Sequence, residues 1–169
     1  MRRFSSSRPA SPESVLSGSR PWSLSVGEWQ EFLSSFPDDS IDVVLMDPPY
    51  DKWTHSKQRR GCTGYTEPTR PSATRAQFSR ARDLNFEPMT GDGQLEVAAE
   101  VARITKRWVG TFCSLEMISS WRDAFEQAGL EYVRTTIWHK LGATPQFTGD
   151  RPAQAAEAIV LAHRRGRKR

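Results

Sequence analysis

Cysteine is nearly missing from this chain: Cys62 and Cys113 are the only two in 169 residues, and neither has a second one nearby. That spacing does not make a zinc site. Cys62 reads as a loop thiol and Cys113 as a small strand residue, which suits a reducing cytoplasm. His55 also lacks a partner at metal-ligand spacing, so no metal is expected. Long apolar runs are missing too. None approaches the roughly 20 residues that a membrane span needs, and the basic, Ser-rich N-terminus has no apolar core of a secretory signal. No internal repeat is visible. A glycine-rich turn of the kind that lets backbone close on a nucleotide is also lacking. Gly91-Asp92-Gly93 is too short to count as a phosphate loop and reads as a turn.

Acids are scarce in one particular place. Between Lys52 and Arg82 there are eight Lys/Arg residues and a single acid, Glu67. Five of the last six residues are also basic, from Arg164 to Arg169. The net charge of +4 therefore describes an acidic body with two basic patches. Such segments suit a polyanion; a solvated loop and a fraying tail fit the same composition.

The richest stretch is Ser40 to Tyr50, S-I-D-V-V-L-M-D-P-P-Y. Ile41 to Met46 is apolar and β-branched without alternation, which predicts a buried strand of parallel type. Pro48 and Pro49 carry no N–H and fix φ, so neither strand nor helix runs through them. Asp47, the carbonyl of Pro48 and the ring of Tyr50 are thereby presented together at the carboxyl end of a strand. In open α/β sheets ligands bind at that end. A carboxylate and a carbonyl both accept, so together they can grip an amine with two N–H donors. An aromatic ring offers a face for a flat base. The plainer reading of Asp-Pro-Pro is a strand-ending turn.

Around this stretch the chain reads in order. Residues 1–20 form a Ser/Arg-rich arm. Trp22 to Val26 alternates as a half-buried strand does, and Glu28 to Phe36 reads as a helix with Trp29, Phe32, Leu33 and Phe36 on one face. After Tyr50 comes a basic loop to about residue 83, containing Trp53, Tyr65 and Phe78; loops of such length are functional or disordered. Trp53 either packs under that loop or closes over a flipped base. A helix is expected over 93–105 and a strand over 107–113. A second helix runs from 114 or 115 to 128 with Gly129 as its cap, and strands follow over 131–138 and 158–163. The pattern is α/β with a largely parallel sheet.

With the D-P-P-Y tetrapeptide at the end of an apolar strand, the sequence resembles S-adenosylmethionine-dependent amino methyltransferases, above all the DNA adenine-N6 enzymes of phage and bacteria. Trp22 to Val26, Gly27 to Leu33 and Pro37 to Asp42 are similar to the opening of the class whose catalytic motif precedes its cofactor motif. Ile137 to Lys140, Pro145, Gly149 to Pro152 and Glu157 are similar to its later part. The resemblance covers roughly residues 21–163. It implies a Rossmann-like methyltransferase sheet, here its catalytic half only, with S-adenosylmethionine as cofactor and DNA as partner. Asp47, Pro48, Pro49 and Tyr50 become the catalytic residues, and Asp47 also a cofactor contact. Asp47 and the Pro48 carbonyl hold the target amine, Pro49 fixes the turn, and Tyr50 stacks on the extruded base. Lys52, Trp53, Lys57, Arg59 and Arg60 become nucleic-acid contacts. Lys140, Arg151 and Glu157 match the later pattern, with an Arg151–Glu157 salt bridge as an equal account, and Trp138 is read as core.

Related tetrapeptides also occur in RNA and protein methyltransferases, so an RNA amino methyltransferase stands as the alternative, and a non-catalytic nucleic-acid binder as a second. The F-x-G-x-G-type cofactor motif of the class is not found. A truncated or split gene, a half-enzyme that pairs with a complementing chain or with itself, and a remnant all remain open on the sequence.

Overall fold

A computed structural model describes residues 12–52, 86–141 and 155–166. Pro12–Leu16 forms a short helix, α1, inside the stretch read as an arm; its proline occupies the first helical position, where no N–H is needed. Trp22 to Val26, expected as a half-buried strand, is not one. The segment has no ladder partner among the described residues, and its alternating apolar side chains are exposed, Trp22 at 71% and Val26 at 98%. Alternation prepares a strand, but a strand exists only when its backbone is paired.

Helix α2 is Trp29–Ser34, shorter than expected, and packs Trp29 and Leu33, one turn apart, against the core. The turn that follows carries Asp39 at φ +51°, and Asp39 N–H and Ser40 N–H donate to the carbonyls of Arg103 and Ile104. Those bonds set the start of strand β1, Ile41–Met46, beside strand β2, Thr105–Cys113. Helix α3 lies between them in sequence, at Gly91–Ile104. Its start corrects the reading of Gly91 to Gly93 as a turn. Thr90 Oγ1 accepts from Gly93 N–H at 3.1 Å, an N-cap that lets the helix begin two residues early. After β2, a 3₁₀ turn at Leu115–Met117 leads into helix α4, Ile118–Gln127. Gly129, at φ +84°, closes it as expected. Strand β3 is Leu130–His139 and strand β4 is Ala156–Arg164.

The sheet order is β1-β2-β4-β3. Strands β1 and β2 are parallel, and β4 runs antiparallel to both of its neighbours, so β1, β2 and β3 point one way. One sheet face carries Val44, Met46, Val109, Cys113, Ala158 and Val160, and α3 and α4 cover it with Val97, Val101, Trp121 and Phe125. The other face carries Val43, Leu45, Trp108 and Trp138, all exposed. The core thus sits on one side of the sheet.

Candidate active site

Because β4 runs backward, its first residues stand on the same rim as the last residues of β1, β2 and β3. Register makes this explicit: Met46 pairs with Thr111, Cys113 with Ala158, and Trp138 with Glu157. The rim therefore gathers Asp47 to Lys52, Ser114, Lys140 and Glu157. Two contacts fix the exit of β1. Ser114 Oγ donates to Asp51 Oδ2 at 3.1 Å, tying the ends of β1 and β2 together. Met89 N–H donates to the Tyr50 carbonyl at 3.0 Å, pinning the return toward α3.

Tyr50 is half-buried and packs on the core. Its hydroxyl is held well above the ordinary tyrosine value, first by burial, then by the negative charges of Asp47 and Glu157, and by hydrogen bonds to Glu157 and Asp47. The phenol thus stays neutral at any physiological pH, close to both carboxylates. Glu157 is itself paired with Lys140, whose Nζ lies 5.4 Å from the centroid of the Trp138 ring. The Lys140 backbone N–H donates to the Ala155 carbonyl at 2.7 Å, which brings the end of β3 to the start of β4. Asp47 is exposed, and Pro48 and Pro49 are half-buried. The result is an acidic, aromatic rim: one outward carboxylate, a fixed phenol beside it, and a second carboxylate held by a lysine.

Of the residues expected from sequence, Asp47, Pro48, Pro49 and Tyr50 come together here, and Lys52 is exposed just beyond. Trp53, Lys57, Arg59, Arg60 and Arg151 lie outside the described residues, so the Arg151–Glu157 pair does too. Trp138, read as core, is not: it sits on the uncovered face and meets Phe112 edge-on at 5.6 Å. Sequence reasoning missed the Tyr50–Glu157 and Ser114–Asp51 links. Both follow only once β4 is known to run antiparallel, since that places a residue before an apolar run beside residues that come after one. Cys113 is buried, and its thiol is pushed up to about 12 by burial and then by Glu116, so it stays protonated and inert.

The described glycines offer no cradle for a nucleotide. Gly93 N–H is taken by Thr90, and a Cβ on Gly110 would meet Leu45 at 3.0 Å and Leu161 at 3.3 Å. Among the described residues no group of three or more His, Cys, Asp or Glu could hold a metal, and no helix is long and apolar enough to cross a membrane. A cavity of about 400 Å³ lies at the opposite end of the strands, between Asp38, Arg103, Leu130 and Arg164. Its arginines are committed to Asp38 and Asp39, both at 2.7 Å, so it adds nothing to the rim.

No family model matches the sequence, and no curated protein does. Solved structures do share the fold. TTHA0409 of Thermus thermophilus, assigned as a DNA modification methylase and complexed with S-adenosyl-L-methionine, has a TM-score of 0.53 at 19% identity, over 85% of this chain and 54% of its own. Its selenomethionine derivative gives 0.51 at 20%, over 85% and 53%. The M1.HpyAVI–SAM complex gives 0.49 at 19%, over 82% and 50%. The chain thus spans about half the length of these neighbours and shares their fold over that part.

Proposed function

We propose that this chain is the amine-holding part of an S-adenosylmethionine-dependent DNA methyltransferase acting on the N6 amine of adenine. The observation that carries the reading is the rim itself: Asp47 stands exposed at a strand's carboxyl end, next to a half-buried tyrosine whose phenol is kept neutral by burial and by the nearby charges of Asp47 and Glu157. The D-P-P-Y tetrapeptide and the fold shared with a SAM-bound DNA modification methylase support it.

In this reading Asp47 and the Pro48 carbonyl accept the two N–H bonds of the amine, and the paired prolines keep both acceptors from drifting. Tyr50 lends its ring to the extruded base while its phenol stays neutral. The chain's contribution to rate is orientation, not proton transfer. S-adenosylmethionine would supply the electrophilic methyl group. Among the described residues only the groups around Asp47 offer it a contact, so the rest of its site needs groups beyond them. Lys52 and the basic segment up to Arg82 are assigned to phosphates, within a methyltransferase region over residues 21–163.

The test is methyl transfer from radiolabelled S-adenosylmethionine to DNA and, separately, to RNA, with the product base identified by mass spectrometry. N6-methyladenine in DNA is expected, abolished by Asp47→Ala with the circular dichroism unchanged. Label in RNA only, or full turnover by Asp47→Ala, would sink the assignment.

A further inference from the structure

Ser114 stands immediately before the 3₁₀ turn at Leu115–Met117, with its backbone extended at φ −65° and ψ 156°. A serine in that place and conformation ordinarily caps the turn, its oxygen accepting from a backbone N–H two or three residues on. Ser114 does not. Its side chain makes no capping bond, and no side chain caps the start of α4 that follows. The hydroxyl turns instead to Asp51, 63 residues earlier in the chain, and donates to Oδ2 at 3.1 Å. Ser114 is fully buried and Asp51 half-buried. A hydroxyl bonded to a carboxylate away from bulk water is a stronger link than one between neutral groups. The helix start has thus gone without its cap, and the serine joins the ends of two strands.

The position of that link along the chain gives it a consequence. Strand β1 is fastened to β2 up to Met46, which lies opposite Thr111. Pro48 and Pro49 have no N–H to donate. Among the described residues, the next backbone hydrogen bond is at Tyr50, whose carbonyl accepts from Met89 N–H at 3.0 Å. Asp47 to Pro49 therefore form an arch between two footings. The near one is the ladder at Met46, and the far one is the exit at Tyr50 and Asp51. Ser114 ends β2, so it ties the far footing to the same strand that holds the near one. We infer, given the amine-holding role of Asp47 and Pro48 on which this rests, that Ser114 is a positioning residue for the reaction. Its hydroxyl, through Asp51, sets the span of the arch, and with it the separation and direction of the Asp47 carboxylate and the Pro48 carbonyl. No atom of Ser114 has to reach the base or the methyl donor. A site that works by orientation is sensitive to such a support, since a misplacement of about 1 Å costs about a hundredfold in rate.

The test joins kinetics to hydrogen exchange. Methyl transfer to DNA is measured for the wild type, Ser114→Ala, Asp51→Ala, Asp51→Asn and the double alanine variant, each checked for an unchanged circular dichroism spectrum. Ser114→Ala and Asp51→Ala should each lower kcat about 10–100-fold with KM for DNA and for S-adenosylmethionine little changed, the mark of an interaction felt in the transition state. The double variant should be no worse than either single, because both remove one link. Asp51→Asn keeps an oxygen that accepts from the serine, so it should retain most of the turnover. The Met89 amide reports on the far footing without any chemistry: in Ser114→Ala it should exchange at least about tenfold faster, while the amides of β2 and β4 stay protected. Given an active wild type, an unchanged kcat in Ser114→Ala overturns the inference, and so does an Asp51→Asn as slow as Asp51→Ala. If the wild type transfers nothing, the amine-holding reading fails, and Met89 alone decides whether Ser114 holds the exit. Unaltered protection of Met89 in Ser114→Ala overturns that as well.

Discussion

Consider removing one charge from the rim. Lys140→Met keeps an unbranched stem over Trp138 and deletes only the ammonium group. It leaves the Glu157 carboxylate, only 15% exposed, without its cation and close to Asp47 and Tyr50. Breaking a fully buried pair this way costs about 3–5 kcal/mol, and breaking an exposed one about 0–1 kcal/mol. This pair is buried at one end and open at the other, so about 2 kcal/mol is expected, or roughly 4–8 °C in melting temperature for a chain of this size. Glu157→Gln should cost less, about 1 kcal/mol, because the amide oxygen still accepts from the lysine and the Tyr50 hydroxyl while no charge is stranded. The double variant should then cost about 2 kcal/mol, no more than Lys140→Met alone, which is a coupling of about 1 kcal/mol against the sum of the two singles. Urea denaturation followed by circular dichroism measures all four corners of the cycle. Equal costs for the two single variants, or a double variant at their sum, would refute an ion pair that holds the rim.

Other expectations are smaller in scope. Tyr50→Phe should retain more methyl transfer than Tyr50→Ala, because the ring alone is worth about 1–3 kcal/mol of stacking per base; equal loss in a kcat/KM comparison would argue that the hydroxyl is the working group. Cys113 should resist iodoacetamide at pH 8 in the native protein and react after unfolding in urea, because burial raises its thiol toward 12 and thiolate forms only above that; native alkylation at the rate of a free thiol would contradict the packing. If the Lys52–Arg82 segment touches duplex phosphates, each lysine or arginine removed from contact should flatten the slope of log K against log salt by about 0.9; an unchanged slope after charge reversal of the segment would remove it from the interface.

Much of the architecture was legible because it depends on local chemistry. The apolar run before two prolines could only be a strand that stops at Asp47, and β1 is Ile41–Met46. The stripe of Val97, Ala98 and Val101 gave α3, and Gly129 gave the end of α4. What could not be read was anything set by pairing. The reversed β4 has the same apolar composition as a parallel strand, so its direction leaves no local trace. That direction alone brings Glu157 to Tyr50. Trp22 to Val26 and Trp138 failed for a shared reason: their patterns describe a burial that the described residues do not supply. The D-P-P-Y corner was readable as residues, whereas the partners that hold Tyr50 were readable only in the fold.

The reversed β4 also imposes an order of events during synthesis. It sits between β2 and β3, touching both, and it is made after them. When β3 leaves the ribosome its place beside β4 does not yet exist, and β2 presents one bare edge until β4 arrives. At roughly 5–20 residues per second, the chain from Cys113 to Ala156 takes about 2–9 s to emerge. In the last part of that interval, once Leu130–His139 has been made, the nascent domain carries that strand with its sheet partner still missing and only α4 to pack against. A ribosome-bound chaperone that shields β3 would therefore raise the yield of folded protein more than one acting after release.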